Sequence, residues 1–466
     1  MKLQIILIMR IFLLTLLCLF AITTIGMAQD PGNPSKSDIL TESSQEVASK
    51  KKAASLVAEP TEKDASPIKK SAGTSKKIPN SYVVVLNEDF VKPMAAQKTR
   101  ASSREAQAAA ANKHEAQAIK QIRKYATETL GLSNSEIKEV YAGAVSGFSV
   151  KLANKKSGAS WMTKTKSTKN TADVFQDEEF ELADHSIESV VDTYSPEAWA
   201  AQTSSYGKFV ANGCDCRNFS KWAWIIDTGI DLNHPDLNVR GGVYAKSFVP
   251  GESAEDYRGH GTHVAGIVGA KNNSYGSLGV ASGATVVPLK VFPRNGGAPS
   301  SYIVAALNHV YKYGIAGDVV NLSLGGSINP SAPRTIVETA IKRLADKGIY
   351  VTIAAGNSKK HARGTHPARF NYKKVYTIAA TKWTLFWWSP NFASNYSNYG
   401  KPPVDYAAPG SSIYAPYKNG GYATLSGTSM AAPNFAGVIL CQLKNKRGYS
   451  YLKVPQYSGL YVLRNK

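Results

Sequence analysis

Between Trp222 and Leu443 the chain alternates short apolar runs with longer stretches of helical character, and few folds accept that pattern. The runs Trp222–Ile226, Val286–Val291, Asp318–Leu324, Val351–Ala355 and Tyr376–Ala380 carry little polar interruption. Strands buried on both faces read this way, because neither side can be given to water. Helices are predicted over His260–Ala270, Ser300–Tyr313, Arg334–Lys347 and Thr428–Lys444. The alternation predicts an α/β fold, a parallel sheet with helices on both faces.

Polar residues with chemical potential sit where these elements begin and end. Asp227 closes the first apolar run, at the C-terminal strand edge where sites of open α/β sheets gather. Asn357 ends Val351-Thr352-Ile353-Ala354-Ala355-Gly356. His260 lies in Gly259-His260-Gly261-Thr262-His263, a glycine turn that opens an apolar helix. Ser429 lies in Ser426-Gly427-Thr428-Ser429-Met430-Ala431-Ala432-Pro433, again a small turn running into an apolar helix. A helix start offers unpaired N–H groups and partial positive charge, which suits a nucleophile whose product is an oxyanion. A serine needs a base, and the base needs an orienting group.

In the order Asp, His, Asn, Ser, these four motifs resemble those of the subtilisin-like serine proteases, over about residues 201 to 445. The resemblance implies a secreted serine endopeptidase of broad specificity. Ser429 is its nucleophile, His260 its general base, Asp227 the orienting carboxylate and Asn357 an oxyanion donor. It implies substrate-binding edges at Gly296-Gly297-Ala298 and Ser323-Leu324-Gly325, and a specificity-pocket wall at Ala354-Ala355-Gly356. His366-Pro367 stands where the family keeps a cis proline, and Thr365 where a glycine is common. It also implies structural calcium, held by Asp236, Asn273 and Gln202 through side chains and by Lys271, Tyr275 and Ser277 through carbonyls.

The N-terminal part divides further. Met1–Ala28 reads as a signal peptide, with Lys2 and Arg10 before a short apolar core. Residues 29–77, rich in Ser, Lys, Ala and Pro, read as a disordered linker. Residues 78–200 combine strand-like Ser81–Leu86 and Gly143–Leu152, an Ala-rich helix over Ala101–Leu130 and a basic insertion at Lys155–Thr171. An acidic helix over Val174–His185 and a last strand over Ile187–Tyr194 complete them. They resemble the inhibitory pro-domain of the same proteases, with the peptidase domain over 201–466. Ala201-Gln202-Thr203 resembles a mature N-terminus, which implies self-cleavage at Ala200–Ala201.

Residues 201–466 hold 29 Lys and Arg against 11 Asp and Glu, a net of +18. That charge admits attraction to anionic surfaces, but no basic-aromatic motif points to specific nucleic-acid binding. The expected partners are protein substrates and the chain's own pro-domain, around a monomer. So few acidic residues disfavour a dibasic-specific processing protease, although Glu252, Glu255 and Asp256 cluster before His260. An inactive subtilase-like binding protein is the alternative of another class. Beyond Cys18 in the leader, Cys214, Cys216 and Cys441 leave the pairing open: Cys214 and Cys216 are too close to bridge each other without strain, and either one can join Cys441.

Overall fold

In the protein's computed structural model, residues 76–91, 104–153, 158–183, 186–191, 202–204, 211–382, 391–446, 449–453 and 461–465 are described. The expected signal peptide, most of the expected linker and the Ala200–Ala201 bond lie outside them.

The C-terminal part is built on the expected sheet. Its parallel strands are β6 (Ala223–Asp227), β7 (Thr285–Lys290), β9 (Val319–Leu322), β11 (Tyr350–Ala354), β12 (Val375–Lys382), β13 (Val404–Pro409) and β16 (Tyr461–Asn465). They are ordered β7-β6-β9-β11-β12-β13-β16, and β15 (Tyr449–Lys453) joins β16 antiparallel at the edge. Alternate side chains enter two separate cores. Ala223, Ile225, Val286 and Val319 pack on one face, with α3 (His260–Gly269) and α6 (Thr428–Asn445). Trp224, Ile226, Val287 and Val320 pack on the other, with α4 (Ser300–Tyr313) and α5 (Ile336–Asp346). The expected Asp318–Leu324 strand is broken at Ser323. Leu322 ends β9, and Leu324–Ser327 turns away as a separate edge strand, β10.

The N-terminal part forms an antiparallel sheet ordered β4-β1-β3-β2. Its strands are β1 (Lys77–Leu86), β2 (Ile137–Ala142), β3 (Ser146–Lys151) and β4 (Thr171–Leu182). Helices α1 (Arg104–Lys124) and α2 (Gly158–Lys166) accompany it around a core of Tyr82, Ile122, Tyr125 and Phe148. The acidic helix expected over Val174–His185 is instead β4. Its glutamates are good helix formers, but propensity is a weak prior, and pairing with β1 from Leu86↔Thr171 to Tyr82↔Gln176 overrides it. Strand β5 (Ser186–Val191) leaves this sheet and pairs antiparallel with β14 (Tyr422–Ser426), just ahead of Ser429.

Cys214 bonds Cys441, with their Cα atoms 5.6 Å apart, and Cys216 is the buried thiol beside them. The bridge ties the entry to the sheet to the last turns of α6 across 227 residues. Closing so long a loop restricts the unfolded chain strongly. Cys441→Ser is therefore expected to lower unfolding free energy by about 3–5 kcal/mol, measured by urea denaturation of the oxidised proteins.

Candidate active site

The parallel sheet brings the strand ends to one edge. Asp227 ends β6, Ser323 follows β9 and Asn357 follows β11. His260 and Ser429 lie in the first turns of α3 and α6. His260 Nδ1 is 2.7 Å from Asp227 Oδ1, and both side chains are buried. The Ser429 hydroxyl donates to the Ser323 carbonyl at 3.2 Å.

Asp256 seats the start of α3. Its Oδ1 accepts from the N–H groups of Arg258 (3.0 Å) and Gly259 (2.8 Å). Its Oδ2 accepts from the Thr262 N–H (2.8 Å) and hydroxyl (2.7 Å). A carboxylate on these orphan helix donors fixes the position of His260. Gly259 has φ 92°, and a Cβ there would meet the Tyr417 ring at 2.3 Å. Glu255 accepts from Leu232 N–H at 3.3 Å, while Glu252 accepts from Arg294 N–H at 3.2 Å and pairs with Lys290. The acidic cluster ahead of His260 is thus engaged within the fold. His263, one turn on, faces the carbonyls of Ile413 and Ala423, and burial pushes it down to about 3.

The Asn357 amide is oriented by Thr428, whose N–H and hydroxyl both donate to Asn357 Oδ1 at 2.9 Å. That leaves Nδ2 directed into the cleft. The Ala183 carbonyl accepts from Asn357 Nδ2 and from the Ser429 N–H (3.1 Å). The Ala183 N–H donates to the Ser323 carbonyl at 3.1 Å. Upstream of Ala183, β4 lies between two edges: Leu182 and Glu181 pair with Leu324 and Gly325, and Phe180 and Glu179 pair with Ala298 and Pro299 of β8 (Ala298–Pro299). The Gly297 N–H donates to Glu179 Oε1 at 3.1 Å. The anticipated edge segments are thus both occupied, by the chain's own strand.

Sequence reasoning missed Phe180, Leu182 and Ala183, because their stretch reads as acidic helix. The signal was the period-two alternation Glu179-Phe180-Glu181-Leu182. Phe180 is buried, with its ring 4.5 Å from that of His366. The His366–Pro367 bond is cis. Beside Ala183, Ala355 and Gly356 follow β11, and Asn398 Nδ2 bonds Ala355 O (2.9 Å) and Thr365 Oγ1 (3.1 Å). The Thr365 methyl lies 3.3 and 3.4 Å from where Cβ atoms on Gly325 and Gly356 would stand. It therefore narrows the space between the two walls. Arg258 donates to the Gly296 carbonyl at 2.9 Å on the opposite rim.

A second cluster gathers oxygens. Gln202 Nε2 is directed at Lys271 O (2.7 Å), Asn273 Oδ1 (3.1 Å), Ser277 O (3.1 Å) and Tyr275 O (3.3 Å). An amide nitrogen has two hydrogens, so four acceptors exceed what it can satisfy. Asp236 adjoins them, accepting from Asn273 Nδ2 (2.8 Å), Ser277 N–H (3.3 Å) and Tyr422 hydroxyl (3.3 Å). Burial pushes its carboxyl up to about 6. Converging hard oxygens around a buried carboxylate fit a calcium ion, with the Gln202 amide turned to present its oxygen. The Lys271 ammonium is directed away, to the Pro235 carbonyl at 2.6 Å.

An α/β sheet with Asp, His and Ser at its C-terminal edge and an oriented amide beside them defines a hydrolase-type site. Comparison with known proteins narrows the class. The subtilase family model matches residues 224–462. M-protease of Shouchella clausii (strain KSM-K16) is 39% identical over 234 residues, covering 50% of this chain and 56% of that protein. Subtilisin Savinase of Lederbergia lenta is 38% identical over 234 residues, 50% of this chain and 80% of that one. The extracellular serine proteinase of Thermus sp. (strain Rt41A) is 30% identical over 324 residues, 68% of this chain and 71% of that one. A solved structure of a cold adapted subtilisin-like serine proteinase is 32% identical, covering 53% of this chain and 90% of that one at a TM-score of 0.44. The chain belongs to the subtilase family.

Asp177, six residues before Ala183, ties β4 to α4. Its Oδ1 accepts from the Ser300 hydroxyl (2.6 Å) and Ser301 N–H (3.0 Å), and its Oδ2 from the Ser301 hydroxyl (2.6 Å). Charge-assisted bonds to a helix start are among the stronger ones. Asp177→Ala is expected to lower chain stability by about 3 kcal/mol and to speed amide exchange in β4 by at least tenfold, read by hydrogen-exchange mass spectrometry.

Proposed function

We propose that this chain is a secreted serine endopeptidase made as a zymogen, with residues 77–183 as an inhibitory pro-domain. The observation that carries the reading is the Ala183 carbonyl between the Asn357 amide and the Ser429 N–H. A peptide held there is in register for attack. In this mechanism the Ser429 hydroxyl gives up the Ser323 carbonyl and donates to His260 Nε2. His260 then takes the proton as Oγ attacks the Ala183 carbonyl carbon. Asp227 holds Nδ1–H and stabilises the imidazolium. Charge on the carbonyl oxygen falls on the two N–H donors. Collapse breaks the C–N bond as His260 returns its proton to the amine, and water repeats the sequence on the acyl-enzyme.

On this reading the first cut falls at Ala183–Asp184. The Ala200–Ala201 bond implied by the mature-type sequence is a later trimming site. The Thr365 methyl favours small residues at the position of Ala183, and the buried Phe180 seat favours an aromatic three residues upstream. With Glu252, Glu255 and Asp256 engaged in the fold, dibasic specificity lacks an acidic pocket among the described residues.

Wild-type chain is expected to yield a new N-terminus at Asp184, while Ser429→Ala stays intact, by N-terminal sequencing and intact-mass spectrometry. An uncut wild type, or equal cutting in Ser429→Ala, would sink the peptidase reading; a first N-terminus elsewhere would sink the assigned bond. Asn357→Ala is expected to slow turnover of a peptide substrate by about 10²–10³, a magnitude carried over from a subtilisin rather than obtained from this site.

Gln202, Asp236, Lys271, Asn273, Tyr275 and Ser277 are proposed to hold structural calcium. Bound at a thousand times its Kd, one ion contributes about 4 kcal/mol. Chelation should therefore lower Tm by about 10 °C, with recovery on adding calcium. A Tm indifferent to both would reject the site.

A further inference from the structure

Arg104 opens α1, yet its side chain reaches out of the N-terminal layer. Its guanidinium forms a two-pronged pair with Asp318, Nη1 to Oδ2 and Nη2 to Oδ1, each 2.6 Å. Nη2 also donates to the Ser220 carbonyl at 2.7 Å. The same group lies 3.8 Å from the centroid of the Trp222 ring. The two charged side chains are 7% and 0% exposed.

Asp318 does not depend on Arg104 for its position. Its Oδ1 accepts from the Trp222 N–H (3.1 Å), and its Oδ2 from Trp224 Nε1 (2.9 Å) and the Ile315 N–H (3.0 Å). All three donors belong to the peptidase part. The carboxylate, the Ser220 carbonyl and the Trp222 ring therefore form a recess that stays built when the N-terminal layer leaves. A forked acceptor beside an aromatic face suits a planar guanidinium better than an ammonium. Asp318 precedes β9 at the end away from Ser323, which puts the recess about 16 Å from the cleft. Of the neighbouring cations, Lys347 donates to the Tyr311 carbonyl. Arg240, 5.5 Å from the Trp222 centroid and 5.1 Å from that of Tyr244, is the chain's own competitor. Lys221, lowered by burial, also feels Asp318.

We propose that Asp318, Ser220 and Trp222 form an arginine-recognising site outside the cleft. Arg104 fills it in the precursor. Once the N-terminal layer is lost, it takes an arginine side chain of a protein substrate. That second step rests on the zymogen reading; the recess itself does not.

The test uses the full chain carrying Ser429→Ala, so that nothing is cut, titrated with methylguanidinium and read by tryptophan fluorescence. With Arg104 present no saturable response is expected. Arg104→Ala should respond with a midpoint in the millimolar range, at least tenfold tighter than for methylammonium. Adding Asp318→Asn should weaken it at least tenfold. Should Arg104→Ala fail to fold by circular dichroism, the wild-type enzyme replaces it. That enzyme is taken after processing and chromatographic removal of the N-terminal layer, checked by intact mass, and blocked with phenylmethylsulfonyl fluoride, so that it lacks Arg104 without substitution. No saturable response in the preparation lacking Arg104, an equal response to methylammonium, or indifference to Asp318→Asn would overturn the site. A wild type that never processes would count against the peptidase reading, while the Arg104→Ala titration judges the recess independently.

Discussion

The site depends on one constraint: the central strands run parallel. Parallel strands end together, so residues far apart in sequence, Asp227, Ser323 and Asn357, arrive at one edge. Crossover helices begin beside that same edge, which brings the first turns of α3 and α6 into the group with His260 and Ser429. Strand ends supply acceptors and side chains, while helix starts supply N–H donors and positive potential. An antiparallel sheet would send alternate ends to opposite sides and divide the set.

Charge in the cleft is settled locally rather than left over. Asp256 is spent on the start of α3, and Asp177 on the start of α4. Glu178 and Glu179 pair with Lys77 and Lys76 of the same layer. What the two edges touch in β4 is therefore chiefly backbone, plus Phe180, the small Ala183 and the Glu179 carboxylate that the Gly297 N–H meets. Backbone pairing reads any extended segment alike, and selectivity falls to the few side chains that enter recesses.

Much of this was legible in the sequence. The apolar strands and the helices after glycine turns have one periodicity each, and Asp227, His260, Asn357 and Ser429 stand at their ends. The six oxygen-bearing residues of the proposed calcium cage converge as their motif implies. What was hidden depends on partners distant in sequence. Val174–Leu182 has helix-forming glutamates, and only β1, β8 and β10 make it a strand. The chain's own strand in the cleft went unread, because Ala183 acquires meaning only from Asn357 and Ser429. Which cysteine joins Cys441 was undecidable from spacing alone, since Cys214 and Cys216 differ by two residues and only the fold distinguishes them. Arg104 gave no local sign at all, as its carboxylate partner is 214 residues away.

Attachments of different physics join the N-terminal layer to the rest, among them the β4 pairings, the Asp177 bonds to α4 and the Arg104–Asp318 pair. The β4 pairings are many, weak singly and lost together. The Arg104–Asp318 pair is one buried contact, and separating it leaves a charge to be rehydrated on each side. On the proposed reading, a cut at Ala183–Asp184 would relax neither: the Ala183 carboxylate would still face Asn357 Nδ2 and the Ser429 N–H, and the guanidinium would still sit against Trp222. On that reading release would begin elsewhere. Arg104 is the first residue of α1, and helix ends open before their middles. Opening that first turn would withdraw the guanidinium and part Glu105 from the Tyr244 hydroxyl, while Asp318 keeps its three N–H donors. The Arg104 pair thus sits at a helix end, where opening is easiest, whereas β4 is held by ladders whose bonds part together.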